Sequence, residues 1–557
     1  MYNLQRFLID YDMTMLRVLA QSRGVELATN RQSEAADELA ARLLDPLSVR
    51  TALTRLDPEA REALDTLLAA GGRMRAPHFF RRFGPVRAIG PGRLEREAPW
   101  QEPANPAEAL WYAGLIYRSF LQDDAGPGEF VFVPDDLCPL LPEPQIEPPA
   151  FAVEAVPAPA PPDGGGTDLV HDLFAYLVYL QIHDVRPYAD GRLGKRDLAA
   201  LRGRLGEAGE RRFAFLRHLA RQLGFVARQG QYLRLQSAPV KRWLSATPER
   251  QLSVLQETWR DDPAWNDLCQ VPGLVCDEET PWRNDPLATR QALLSLLARC
   301  PASEWWSMAS FVAAVQDYHP DFQRPDGDYT SWYIRDAASG EYLSGFESWE
   351  RVEGALIADL LAGALHWLGI VALTPASAGA LCRLTESGAR LLGLLPAAAE
   401  DLVSPPIVVH PDFRVELPPP ASLYTRFQLE RFTDLEQVEP CTYRLTIGSL
   451  HRALARDIQV EQVLAFLQQA SQHPVPANVA GQLRLWAGRL GQVSLQEVAL
   501  LQVKSERTMK DLTVLPETRH LIARVLSPTS ALVRKQDLPR LKRELRSLGY
   551  LPPEDTA

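Results

Sequence analysis

The densest chemistry-bearing pattern in the chain is cationic. From Glu210 to Leu223 the sequence reads ERRFAFLRHLARQL, and Phe213, Leu216, Leu219, Ala220 and Leu223 recur at helical spacing. At roughly 100° per residue these make one apolar face, and Arg211, Arg217, His218 and Arg221 fall opposite it. Lys195 and Arg196 precede this segment, and Arg228 and Arg234 follow on two short apolar runs separated by Gly230. Cations gathered on one helix and an adjoining hairpin suit DNA, because phosphate contacts supply most of the affinity and fix orientation. Two readings stand side by side: a DNA-binding surface made of these eight residues, or the solvated face of an ordinary helix in an arginine-rich chain. The same pair of readings applies to Arg534, Lys535, Arg540, Lys542, Arg543 and Arg546, which flank a stripe of Leu538, Leu541, Leu545 and Leu548; there the solvated face is favoured slightly. Arg73, Arg75, Arg81, Arg82 and Arg87 make a weaker patch.

Catalytic patterns are missing. A nucleotide-driven motor needs a glycine-rich phosphate loop ending in Gly-Lys-Ser/Thr and an acidic pair for Mg²⁺. The only Gly-Lys is Gly194-Lys195, followed by Arg196, with no glycine at the required spacing before it. No DExH or DExD box, HExxH pair or GxSxG elbow occurs. The six cysteines contain no CxxC pair, and Cys269 and Cys276 stand seven apart without companions. They suggest neither a disulfide framework nor a zinc site. His78 beside Phe79-Phe80 and His366 beside Trp367 read as core or helix-end residues, and Glu278-Glu279 as solvated loop. The expectation is a protein that is not an enzyme, with no cofactor and no metal.

The chain's 557 residues allow three to five domains. A net charge of -11 argues against a protein coated in nucleic acid and requires any DNA contact to be local. The N-terminus lacks a signal-peptide pattern, and no run of about 18 apolar residues suggests a membrane span. Cytoplasmic location without membrane contact is the expectation.

The elements that would position these residues are mainly α with small β-hairpins. Residues 1–56 read as helical. Residues 57–138 form a first winged-helix-like module: Asp57-Pro58 opens a helix that Gly71-Gly72 stops, a short helix covers Pro77 to Arg82, and Asn105-Pro106-Ala107-Glu108 opens another with capping-box spacing. Strands at Leu115–Leu121 and Phe130–Val133 close it around an acidic, glycine-containing turn. Residues 139–166 are proline-rich and read as a semi-rigid spacer. Residues 167–278 and 285–396 repeat the helix-helix-helix-hairpin order, with a long apolar helix expected from Val352 to Leu368. Residues 397–557 begin with strands at Ile407–His410, Phe413–Leu417 and Tyr443–Thr446, and helices fill most of the remainder.

In this last region the segments PPIVVHPDFRVELPPP and FTDLEQVEPCTYRLTIGSLHRALARDIQVEQVLAFLQQASQHPVPANVAGQLRLWAGRLG resemble the XPB-type helicase N-terminal domain of bacterial helicase-associated proteins. Val409, Pro411 and Asp412, the Tyr443-Arg444-Leu445-Thr446 strand, Phe466-Leu467, His473-Pro474-Val475-Pro476, Trp486 and the tail ending Leu548-Gly549-Tyr550 carry the likeness. The resemblance implies tandem winged-helix-like modules followed by a C-terminal α+β domain that has no motor of its own. It also implies a protein partner such as a separate XPB-like helicase, as in a non-catalytic TFIIH subunit that grips XPB. The expected function is therefore a helicase-associated adaptor that contacts DNA. The alternative is an autonomous winged-helix DNA-binding regulator.

Overall fold

Asp and Asn side chains set several of the first helix starts. The computed structural model describes residues 3–123, 126–145, 151–158, 167–205, 209–277, 282–324, 326–374, 379–397, 404–438, 440–489 and 497–551. The Glu278-Glu279 run, the tip of the first hairpin and much of the proline-rich stretch lie outside them. The chain opens with helices α1 (Leu4–Ile9), α2 (Met13–Ser22), α3 (Gln32–Leu43) and α4 (Pro46–Arg55). Leu4, Leu8, Leu16, Leu19, Leu39 and Leu43 form one core with Tyr117 and Phe132. Helix α5 (Pro58–Ala69) starts where the Asp57 carboxylate accepts the Ala60 N–H at 2.6 Å. It stops at Gly71 and Gly72, whose φ values of 82° and 76° favour glycine. Strand β1 (Arg73–Arg75), α6 (Ala76–Phe83), α7 (Pro91–Glu97), α8 (Pro106–Tyr112), β2 (Tyr117–Asp123) and β3 (Gly126–Phe132) follow, with sheet order β1-β3-β2. Asn105 caps α8 by accepting the Glu108 N–H at 2.9 Å. Glu108 does not complete the capping box; its buried carboxylate takes the Arg87 guanidinium through two hydrogen bonds of 2.6 Å.

The proline-rich stretch is more than a spacer. Strand β4 (Ala155–Val156) pairs antiparallel with Trp305–Ser307 farther along the chain. Phe151 and Val153 are buried, and the Phe151 ring meets those of Phe311 and Tyr318 edge-on. Apolar side chains at every second position suit a half-buried strand, and this local alternation outweighs the flanking prolines.

Helices α9 (Thr167–Ile182), α10 (Lys195–Arg202) and α11 (Glu210–Gln222) then lead into the hairpin β5 (Val226–Gln229) and β6 (Tyr232–Leu235). Gly230 turns it with φ of 59°. Before α10 the chain meets β6, where Leu233 N–H donates to the Val185 carbonyl at 2.9 Å and Arg234 pairs with Asp184. Helices α12 (Ser237–Leu244) and α13 (Pro248–Arg260) and strand β7 (Leu274–Cys276) follow. Cys269 and Cys276 are joined as a disulfide, which corrects the expectation of unpaired thiols. The reversal from the turn at Leu268–Gln270 into β7 brings their Cα atoms to 5.6 Å, and a seven-residue spacing alone does not reveal that reversal.

Residues 285–396 contain α14 (Pro286–Leu297), β8 (Trp305–Ser307), α15 (Met308–Tyr318), β9 (Ile334–Asp336), α16 (Ala355–Ala362), α17 (Ala364–Trp367), β10 (Val371–Leu373), β11 (Leu381–Leu384) and α18 (Glu386–Leu391). Its sheet runs β10-β11-β8-β4, while β9 pairs with β7. The long apolar helix is interrupted. A π turn at Glu350–Gly354 leads into α16, and Gly363 separates α16 from α17. A side chain there would stand 2.7 Å from the Asp359 carbonyl, so glycine permits the break.

The described residues form two compact units: those before Ser404 with Ser422–Phe427, and Ser404–Ala421 with those from Gln428 on. The second contains β12 (Val408–Val409) and β13 (Arg414–Leu417); α19 (Leu423–Leu429) runs through the boundary at Phe427. Strands β14 (Asp434–Gln437) and β15 (Cys441–Arg444) and helices α20 (Ile447–Leu454), α21 (Val460–Ser471) and α22 (Ala477–Arg489) follow. Next come β16 (Val498–Gln502), α23 (Glu506–Val514), α24 (Pro516–Arg519), β17 (Ile522–Ser527), β18 (Ser530–Arg534) and α25 (Leu538–Ser547). The two sheets run β12-β13-β15-β14 and β16-β18-β17. The second sheet was not anticipated, since helices were expected to fill most of this region. Short apolar runs such as Val498–Gln502 carry no periodicity that separates strand from helix. In three places, β1-β3-β2, β8-β11-β10 and β16-β18-β17, the first strand joins the last and leaves the middle one at the edge. The architecture is mainly helical with small antiparallel sheets.

Candidate nucleic-acid interface

Helix α11 buries Phe213, Phe215, Leu216, Leu219 and Ala220, and with them Arg212, while Arg211 and Arg221 are exposed and Arg217 and His218 half-buried. That polar side is largely occupied by the chain itself. Arg211 pairs with Asp359 on α16. Arg217 donates to the Gly191 carbonyl and lies 5.8 Å from the Phe213 ring centre. His218 pairs with buried Asp262 and sits against Trp265. Arg221 is exposed, as are Lys195 and Arg196 at the start of α10. On the hairpin, exposed Arg228 donates to the Gly230 carbonyl at 3.2 Å. Arg234 pairs with Asp184 at 2.8 Å and lies over the Tyr232 ring at 5.0 Å. The predicted residues lie on α10, α11 and the β5–β6 hairpin, but Arg211, Arg217, His218 and Arg234 are engaged by the chain itself. Long-range partners such as Asp359 and Asp262 cannot be read from helical periodicity.

The weaker patch is used in the same way. Arg87 holds Glu108, Arg82 pairs with Glu62 at 2.9 Å, and Arg75 lies 5.3 Å from the Phe130 ring centre. Arg81 lies between aromatic rings contributed by the segment that follows α15. Its guanidinium is 4.1 Å from the Phe346 ring centre and 5.0 Å from that of Tyr329, and it pairs with Asp321 at 2.7 Å. Arg324 continues the series, 4.6 Å from Tyr329 and 4.2 Å from Trp332, while Trp332 stacks on Trp282 at 5.2 Å. Cations over ring faces favour each other electrostatically, more strongly where water is excluded. The aromatic composition of residues 317–349 thus serves a contact between sequence-distant parts of the first unit.

Three buried arginines escaped the sequence reading. Arg212 pairs with Asp172 at 2.8 Å. Arg324 pairs with Glu353 at 2.6 Å, and burial raises the Glu353 carboxyl above the usual range against the pull of Arg324. Arg290 on α14 has a fully buried side chain. It donates to Asp267 at 2.6 Å, to the Trp259 and Asp262 carbonyls at 2.7 and 2.6 Å, and to the Trp265 carbonyl. Burial raises the Asp267 carboxyl as well, with Arg290 opposing the shift. Their nearest sequence signal is an arginine among apolar helix positions, as at Arg290. Among the described residues no cluster of three or more His, Cys, Asp or Glu side chains is arranged to hold a metal, and no helix is long and apolar enough to cross a membrane.

In the second unit the motif residues have structural roles. His410 to Phe413 make the β12–β13 turn, closed by the Asp412 carboxylate, which accepts from Arg414 backbone and side chain at 3.2 and 2.7 Å. Phe413 has φ of 69° and its ring stands 5.4 Å from that of Trp486 on α22. Asn478 donates to the Pro411 carbonyl at 2.8 Å, tying α22 to the same turn. Buried Tyr443 donates its hydroxyl to Glu430 at 2.9 Å, and Thr446 opens α20 with a capping box to Ser449. Residues 407–527 match the family described as a helicase conserved C-terminal domain. This segment is a helicase-associated domain. No curated protein matches the chain.

Proposed function

We propose that the protein is a non-catalytic, helicase-associated adaptor. Its C-terminal region, similar to the N-terminal domain of XPB-type helicases, docks a partner such as a separate XPB-like helicase. The preceding regions act as winged-helix-like modules, and the assembly contacts DNA. The observation that carries this reading is the helicase-associated match at residues 407–527, in a chain whose sequence contains neither a phosphate loop nor an acidic Mg²⁺ box. The recurring strand order supports the winged-helix reading, since a first strand paired with the last beside a terminal hairpin fits that architecture. Fold likeness alone does not fix function, so the test is biochemical. Affinity purification of the full chain from its native cells is expected to recover a DNA-stimulated ATPase activity. The purified chain alone is expected to hydrolyse no ATP with Mg²⁺. ATP hydrolysis by the chain alone overturns the non-catalytic assignment. Recovery of bound DNA without an ATPase favours the autonomous regulator.

A further inference from the structure

The chain carries a net charge of -11, yet residues 497–551 contain eleven Lys or Arg against six Asp or Glu. This most C-terminal described segment is one of the three with the recurrent strand order, and its own core is built from Leu512, Leu521, Val533, Leu541 and Leu545. On α25, Leu541 and Leu545 face that core. At 100° per residue Arg543 lies opposite them, with Arg540 and Arg546 on either side. Helix α25 packs on α24, which ends at exposed Arg519. Arg524 on β17 and Arg534 at the end of β18 are exposed too. Arg211 and His218 of α11 are paired with carboxylates and Arg217 is held by a backbone carbonyl, whereas the exposed Arg519, Arg524, Arg534, Arg540 and Arg543 make no ion pair among the described residues.

We infer that the nucleic-acid contact of this protein lies on residues 497–551, with Arg519, Arg540 and Arg543 binding the phosphate backbone. This rests on the DNA-contacting role proposed above and moves the contact away from α11. The occupant follows from charge. Seven of the eleven cations are arginine, whose planar, multi-donor guanidinium matches phosphate oxygens in pairs. Exposed arginines on a helix and on the short helix packed against it can hold a sugar–phosphate strand without reading bases.

The test is fluorescence anisotropy of a labelled DNA duplex of about 25 base pairs with the full chain over a salt series, because each phosphate contact contributes about 0.9 to the log–log salt slope. Arg519→Ala, Arg540→Ala and Arg543→Ala together are expected to lower the slope by about 2 to 3 and to weaken binding at least about tenfold at low salt. The same three positions changed to Lys should retain the slope, and circular dichroism checks that each variant is folded. Arg211→Ala, Arg217→Ala and Arg221→Ala together should leave the slope nearly intact. Undiminished binding by the first Ala variant overturns this assignment and leaves DNA contact elsewhere standing. No binding by the wild type at low salt removes DNA contact from the proposed function as well. Displacement of the duplex by polyglutamate at equal charge concentration also overturns it, by showing a surface for carboxylates rather than phosphates.

Discussion

Replacing Arg290 by Met keeps most of the apolar volume and removes the guanidinium. Asp267 then stays buried beside indole donors such as Trp259 N–H, at 3.2 Å, without its cationic partner. The carbonyls of Trp259, Asp262 and Trp265 lose their common donor. Breaking a buried ion pair from one side costs about 3–5 kcal/mol, because an uncompensated charge is left behind. Each orphaned carbonyl that water cannot reach adds a non-additive penalty on the order of 1 kcal/mol or more. We expect a loss of about 4 kcal/mol for Arg290→Met, and recovery of roughly 1–2 kcal/mol when Asp267→Asn is added, since the two sites are coupled. In urea, with a slope of about 2–3 kcal/mol per molar, the first variant shifts the midpoint by about 1–2 M. A chain of this size does not unfold in one step. Hydrogen exchange in Pro248–Arg260 and Pro286–Leu297 is therefore the sharper readout, and both helices should lose protection together. A loss below about 1 kcal/mol, with exchange unchanged in both helices, would refute the assignment of Arg290 as the tie between them.

Further outcomes follow from the same contacts. Arg81→Ala removes a cation held by two rings and by Asp321; a loss of about 2 kcal/mol is expected, with limited proteolysis newly cutting between His319 and Phe346. Burial makes the Glu353 carboxyl hold its proton more tightly in the fold than in the open chain. Its contribution to stability is therefore full at pH below the ordinary glutamate value and is lost as pH rises through the raised folded value. Glu353→Gln should flatten the decline of stability across that window, leaving the contribution of Asp267, as read by thermal melts over a pH series. Gly388→Ala places a methyl 2.2 Å from the Ile370 carbonyl oxygen; a loss of about 2–3 kcal/mol is expected from overpacking, against a neutral result if α18 can slide. Non-reducing peptide mapping should find Cys269 linked to Cys276 and leave Cys138, Cys300, Cys382 and Cys441 as thiols.

The sequence by itself determined the local events. Asp57-Pro58 and Asn105-Pro106 open helices because a side-chain acceptor and a pre-set φ act within one turn. Gly230 turns the β5–β6 hairpin, and the apolar stripe of α11 faces the core, because glycine conformation and 3.6-residue periodicity are properties of neighbours along the chain. The motif around Val409, Pro411 and Asp412 was also legible, since its turn is closed by residues only a few positions apart. Tertiary structure alone decided which cations remained open to solvent. Arg81, Arg211 and His218 look like surface charges in sequence and find Asp321, Asp359 and Asp262 only after folding. It likewise decided that Ala155–Val156 joins a sheet whose other strands lie far along the chain, and that Arg290 is an internal tie. Such pairings depend on which distant groups packing places within a few ångströms. Coulomb attraction and hydrogen bonding at that range are strong only once water has been excluded, a condition set by the whole fold.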